Sequence, residues 1–194
     1  MSNLIYKTDD GKEILVSIEE MKKIIAFGAS SSETSINKQL ATYAANQFEN
    51  TSIEILDLND YEMPIFSIDK EKNGIPQLAH DFYNKLGTAD LIIISFAEHN
   101  GVYTTAFKNI FDWTSRVNMN VFQEKPMFLL ATSPGPRGGS TVLEIAKNRF
   151  PFQGGIVKGS YSLPSFGENF VAEKGITNEE LKNEFVKIVN SIEF

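Results

Sequence analysis

The sequence predicts an α/β domain, a doubly wound five-stranded parallel sheet with helices on both faces. Short apolar runs alternate with stretches whose apolar residues recur every three or four positions, the pattern of βαβ units. The run Leu91-Ile92-Ile93-Ile94 is apolar throughout, as suits a strand covered by helices on both faces. A chain of 194 residues, 42% hydrophobic, is long enough for one domain with a single substantial core.

The elements follow in order. Leu4-Ile5-Tyr6 and Ile14-Leu15-Val16 flank an Asp10-Gly11 turn signal and read as a β-hairpin. Lys7 and Lys12 stand there against five acidic residues, and Met21-Lys22-Lys23 then resembles a protein start. Residues 1–20 are therefore read as an N-terminal extension and 21–194 as the domain proper. Lys23 to Phe27 is the first core strand, ending at Gly28. A serine-rich loop leads to a helix marked by Ile36, Leu40, Ala44 and Phe48. Ser52 to Leu58 is the second strand, and Leu78, Phe82 and Leu86 mark the helix after it. Leu91 to Ile94 is the third strand, with a helix over about Thr104 to Arg116. Pro126 to Ala131 is the fourth, followed by a helix through Val142, Ile145 and Ala146. The fifth lies near Gly155 to Tyr161, and Leu181, Phe185, Ile188 and Ile192 mark the closing helix. Parallel strands joined this way require right-handed crossovers.

Composition removes whole classes of function. The chain has no cysteine, which excludes disulfides, thiolate nucleophiles and Cys-based metal sites. The two histidines, His80 and His99, are far apart, which argues against a His-rich metal centre or an ordinary Ser–His–Asp triad. A net charge of −7 argues against nucleic acid or an anionic membrane as the main partner. No apolar run approaches the ~20 residues of a membrane span. The acidic start does not read as a signal peptide, so the expected compartment is the cytoplasm.

Ligands of open parallel sheets bind beyond the C-terminal strand ends, near the switch point of strand order. Three loops fall there. In Gly28–Asn37, hydroxyls and backbone N–H groups gather at a helix N-terminus, where Ser30, Ser35 and Asn37 suit a phosphate monoester without much positive charge. It lacks both a Gly-Lys-Ser/Thr ending and a Gly-x-Gly-x-x-Gly pattern, and it equally suits a plain N-capped helix behind a serine loop. In Ala97–Thr105, Gly101 permits close backbone approach and the loop's amides suit the polar edge of a flat heterocycle; a polar turn with an exposed His99 is the alternative. Thr132–Ser140 is placed to hold the other side of such a ligand, with Arg137 available to an anionic substrate group or simply solvated.

These loops, in this order, resemble the NADPH-dependent FMN reductase family. The resemblance rests on Glu98-His99-Asn100-Gly101 followed by Phe107-Lys108-Asn109-Ile110-Phe111-Asp112-Trp113, against a family pattern of Pro-Glu-Tyr-Asn-Gly and Leu-Lys-Asn-x-Ile-Asp-Trp. Ser35-x-Asn37 matches the family's phosphate loop, and Ser133-x-Gly135…Gly138-Gly139 its third loop. It covers Met21 to about Ser160. Ser32 stands where the family often has Arg, Ala97 and His99 replace its proline and tyrosine, and Thr104 replaces a second proline. Lys108, Asn109, Asp112 and Trp113 are read as packing and helix-to-loop bonding rather than chemistry.

The resemblance implies a flavodoxin-like fold for residues 21–194 and FMN as cofactor. It implies cofactor contacts at Ser30, Ser32, Ser35, Ile36, Asn37, Glu98, His99, Asn100, Gly101, Ser133, Gly135, Gly138 and Gly139, with no metal. NADPH or NADH would donate a hydride, and a small acceptor such as a quinone, free flavin or azo compound would take the electrons. Because the cofactor carries the chemistry, no catalytic residue is named. A homodimer or homotetramer is implied as well. Two alternatives are a flavodoxin-like electron carrier serving a protein partner, with which the acidic balance is compatible, and a module that has lost its flavin.

Overall fold

In the computed structural model, residues 2–7, 13–18 and 21–194 are described. The core strands are β1 (Lys22–Ala29), β2 (Thr51–Leu56), β3 (Leu91–Phe96), β4 (Lys125–Thr132) and β5 (Gly155–Leu163). The main helices are α1 (Ile36–Ala45), α2 (Gln77–Gly87), α3 (Thr105–Val117), α4 (Ser140–Arg149) and α5 (Glu179–Val189). All five strands pair in parallel, in the spatial order β2-β1-β3-β4-β5. The chain lays β2 on one side of β1 and then crosses to place β3 on the other. That reversal opens a crevice at the C-terminal ends of β1 and β3.

Alternating side chains explain why both faces are covered. Ile25, Phe27, Ile92 and Ile94 join one apolar cluster with Phe82 of α2, Phe107 and Trp113 of α3, and Val142 of α4. Ile24, Ala26, Leu91 and Ile93 join the other with Leu40 and Ala44 of α1 and Phe185 of α5. Each residue of β3 is buried, as its unbroken apolar run requires.

The boundaries differ from the periodicity in instructive places. α1 ends at Ala45, so Phe48 lies beyond the helix and meets the Phe194 ring edge-on. β2 stops at Leu56, because the Asp57 side chain accepts the Asn59 N–H and starts a 3₁₀ turn. α5 ends at Val189, leaving the buried Ile192 past its end. In α4 the inward positions are Val142, Leu143 and Ala146, and Ile145 is only half-buried. The loop after β3 contains a small hairpin that the sequence reading leaves as plain loop: Glu98–His99 pairs antiparallel with Val102–Tyr103. Near the N-terminus, Ser2–Lys7 pairs antiparallel with Glu13–Ile18, and the Asp10-Gly11 turn lies outside the described residues. No helix among the described residues is long and apolar enough to cross a membrane.

Candidate functional site

The first loop is shaped by how closely α1 approaches β1. A Cβ on Gly28 would lie 2.4 Å from the Lys38 nitrogen and 2.9 Å from the Asn37 carbonyl carbon, so only glycine admits the helix at this distance. Ser35 caps α1, its Oγ accepting the Lys38 N–H at 3.2 Å. The N–H groups of Ile36 and Asn37 open the first turn, where no helical carbonyl can reach them. Ser30 Oγ accepts the Ser32 N–H, and both Ser30 and Ser35 keep a hydroxyl proton to donate.

Asn37 lies at this loop but its side chain is engaged elsewhere. It is buried; Oδ1 accepts from the Ser95 hydroxyl at 2.7 Å and the Thr132 N–H at 3.1 Å, and Nδ2 donates to the Thr132 carbonyl at 3.1 Å. The side chain therefore ties α1 to the ends of β3 and β4. Its contribution to an anion is its backbone N–H.

In the second loop, Asn100 and Gly101 have φ of 53° and 82°, the left-handed pair that a two-residue hairpin turn demands. A Cβ on Gly101 would meet no protein atom within 4 Å, so within the protein itself the glycine is required by the turn and not by packing. Tyr103, on the returning strand, packs its ring against Phe96, Phe107 and Phe150, and burial pushes its hydroxyl pKa up. Thr104 caps α3 and donates its hydroxyl to the Ala29 carbonyl at 2.9 Å, joining the second loop to the first.

In the third loop, Gly138 and Gly139 are left-handed, at φ 58° and 73°. A Cβ on Gly138 would strike the Ser162 hydroxyl at 2.5 Å and the Leu163 backbone at 2.8 Å. The Ser133 and Gly135 carbonyls accept the Phe166 and Ser165 N–H groups, bracing the loop on the chain beyond β5. Glu98 reaches across from the second loop, its carboxylate accepting the Val142 N–H at 3.0 Å.

Together the loops enclose a cleft of about 260 Å³ lined by Ser30, Ser32, Thr34, Ser35, Ile36 and Asn37 on one side and by Ala97, Glu98, His99, Thr132, Ser133 and Pro134 on the other. Of the expected contacts, Ser30, Ser32, Ser35, Ile36, Asn37, Glu98, His99 and Ser133 thus come together. Asn100, Gly101, Gly135, Gly138 and Gly139 do not line it; they shape the turns that carry those that do. Thr34, Ala97, Thr132 and Pro134 line it although they are not among the expected contacts. Their signal was adjacency to the named loop residues. Among the described residues no Lys or Arg lines the cleft, although Arg137 stands 4.0 Å from the Glu98 carboxylate: Lys38 turns to Asp57, whose carboxyl it holds below the usual range together with the Asn59 N–H.

The α3 residues tie that helix to the segment 63–66 after β2. Asn109 accepts the Phe66 N–H at 2.8 Å and donates to the Met63 carbonyl at 2.9 Å, and Trp113 Nε1 donates to the Pro64 carbonyl at 2.7 Å. Lys108 and Asp112 pair with each other one turn apart at 2.7 Å. Among the described residues no cluster of three or more His, Asp or Glu could hold a metal ion.

A donor set of serine and threonine hydroxyls plus first-turn N–H groups, beside a slot between two loops, fits a phosphate-bearing planar cofactor such as FMN. Comparison with known proteins leads the same way. The family model for NADPH-dependent FMN reductase matches residues 22–168. The chain is 30% identical over 152 residues to the MG342 homolog, an uncharacterized protein of Mycoplasma pneumoniae, covering 76% of this chain and 90% of that one. It is 26% identical over 126 residues to the NADH-dependent flavin reductase subunit 2 of Lactobacillus johnsonii, covering 63% of this chain and 66% of the relative. Among solved structures, FerB, the flavoenzyme NAD(P)H:(acceptor) oxidoreductase of Paracoccus denitrificans, superposes with a TM-score of 0.68 at 22% identity, covering 88% of this chain and 96% of that one. The chain belongs to the NADPH-dependent FMN reductase family, with a flavodoxin-like fold, FMN as cofactor and the activity of an oxidoreductase.

Proposed function

We propose that this protein takes hydride from NADPH or NADH through bound FMN and passes the electrons to a small acceptor of the quinone, free flavin or azo class. The observation that carries the reading is the conjunction of an uncommitted first helical turn at α1 with a slot between the second and third loops. The hydroxyls of Ser30, Ser32 and Ser35, with the Ile36 and Asn37 N–H groups, hold the phosphate end. Neutral donors suffice there because the α1 dipole favours an anion. Ala97 to His99 and Thr132 to Pro134 flank the ring. FMN, when bound, supplies the exchange between two-electron hydride donation and electron delivery.

The protein's part is to orient the ring and keep one face open for donor and acceptor in turn. We read the enzyme as a cytoplasmic homodimer or homotetramer, with residues 1–20 an appendage to the FMN-binding domain at 21–194. In the test, purified apoprotein is titrated with FMN and then mixed with NADPH or NADH, with and without a benzoquinone. Bound flavin that bleaches with pyridine nucleotide and recolours with quinone is the expected result. Protein that takes up no flavin, or oxidises no pyridine nucleotide, refutes it. Bound flavin that pyridine nucleotide reduces only slowly points instead to an electron carrier for a protein partner.

A further inference from the structure

We propose that Glu98 is a positioning residue that sets the gap between the two loops flanking the ring. Its effect on flavin rests on the function proposed above, whereas the contact it makes does not. Glu98 sits two residues past the end of β3, on the outgoing strand of the small hairpin. Its Oε2 accepts the Val142 N–H at 3.0 Å, in the first turn of α4. Its Oε1 lies 4.0 Å from the Arg137 guanidinium. The Glu98 side chain is only 11% exposed, while that of Arg137 is 79% exposed, so the bond to α4 is sheltered and the ion pair is screened.

The reason α4 needs this bond lies in Gly139. A helix N-terminus presents orphan N–H groups and the positive end of its dipole, and a Ser, Thr, Asp or Asn normally answers both. Here the cap position is Gly139, with no side chain to offer. Its φ of 73° and a Cβ contact of 3.1 Å with Ala131 disfavour any other residue. The cap therefore comes from the opposite wall of the cleft. One carboxylate both neutralises the α4 terminus and fixes the hairpin relative to the third loop, so the hairpin cannot swing outward without uncovering α4.

The experiment compares the full-length parent with Glu98→Gln and Glu98→Ala in three measurements. These are amide hydrogen exchange without flavin, the thermal midpoint, and dissociation constants for FMN and for riboflavin. Without flavin, exchange at the Val142 amide should rise about tenfold in Glu98→Ala, the scale of losing a charge-assisted hydrogen bond, and less in Glu98→Gln, which keeps a carbonyl acceptor. Flavin affinity should fall about tenfold in the alanine variant and two- to threefold in the glutamine variant. The loss should be equal for FMN and riboflavin, because the gap grips the ring and not the phosphate. Unchanged Val142 exchange in Glu98→Ala overturns the contact. Faster exchange and a lower midpoint with unchanged flavin affinity overturn the positioning role, leaving only a cap. A parent that takes up no FMN yet shows the exchange difference refutes the function proposed above, and with it the positioning role, while the Glu98–Val142 contact stands.

Discussion

Replacing Asn37 with alanine removes one buried side chain and strands three polar groups, the Ser95 hydroxyl and the N–H and carbonyl of Thr132. A buried group left without a partner costs about 1–3 kcal/mol, so the three together set a ceiling of about 9 kcal/mol. Water entering the vacated space would serve some of them, and about 3–4 kcal/mol is the expected loss. In a domain of this size 1 kcal/mol moves the thermal midpoint by about 2–4 °C, which gives a fall of roughly 10 °C. The assay is thermal unfolding followed by circular dichroism, run without flavin so that ligand binding contributes nothing to the midpoint. Asn37→Asp keeps an acceptor for Ser95 and Thr132 but loses the donor to the Thr132 carbonyl and buries a charge. It should be at least as unstable at neutral pH and recover relative to the parent on acidification, as the protonated carboxyl regains a donor. Ser35→Ala is the contrast: it should lose only about 1 kcal/mol of capping while weakening FMN. A midpoint fall below about 2 °C for Asn37→Ala, or lost FMN affinity with no fall at all, would refute the bracket and make the side chain a cofactor ligand.

Gly28→Ala drives a Cβ into the α1 backbone, and since backbone cannot rotate aside it should cost about 2–3 kcal/mol in urea unfolding and displace the first loop. FMN binding should be nearly independent of salt, changing less than about twofold between 50 and 500 mM, because among the described residues no Lys or Arg lines the cleft and Arg137 beside it is solvated and faces Glu98; fluorescence titration reads this, and a steep slope would mean that a cation does meet the phosphate. Hydrogen bonds from Lys23 and then Lys85 hold the Glu54 carboxyl below its usual range. A depressed folded pKa stabilises the protein above the unfolded value near pH ~4 and loses that effect as pH falls through the folded one. Glu54→Gln should therefore lower the urea midpoint at pH ~7, with the gap to the parent closing by pH ~3.

Much of the cleft's lining was legible. The serine loop, the Glu98–His99 segment and Ser133 could be singled out because each sits just past a strand whose apolar run marks it as core. The hairpin around Asn100-Gly101 reads as plain loop, because its flanking strands are only two residues long and show no alternation, although that dipeptide is a strong signal for a two-residue turn. The roles of Asn37 and Glu98 were not legible. An asparagine at a helix N-terminus suits a phosphate and a buried bracket equally well until its partners are known. The Glu98 carboxylate finds Val142 only because β3 and β4 are neighbours in the sheet, which places the loops that follow them side by side.

The amino-acid sequence by itself determined the strand and helix alternation, the two-sided burial of β3 and the absence of thiol chemistry. Those properties follow from local periodicity and composition, which no distant contact can alter. Only the tertiary structure decided which polar groups at the strand ends remain open to a ligand. That choice rests on pairings across 44 residues for Glu98 and Val142, 75 for Thr104 and Ala29, and 95 for Asn37 and Thr132. A hydrogen-bonding group is free only when no partner reaches it, and chain separation of that size leaves the answer to the fold.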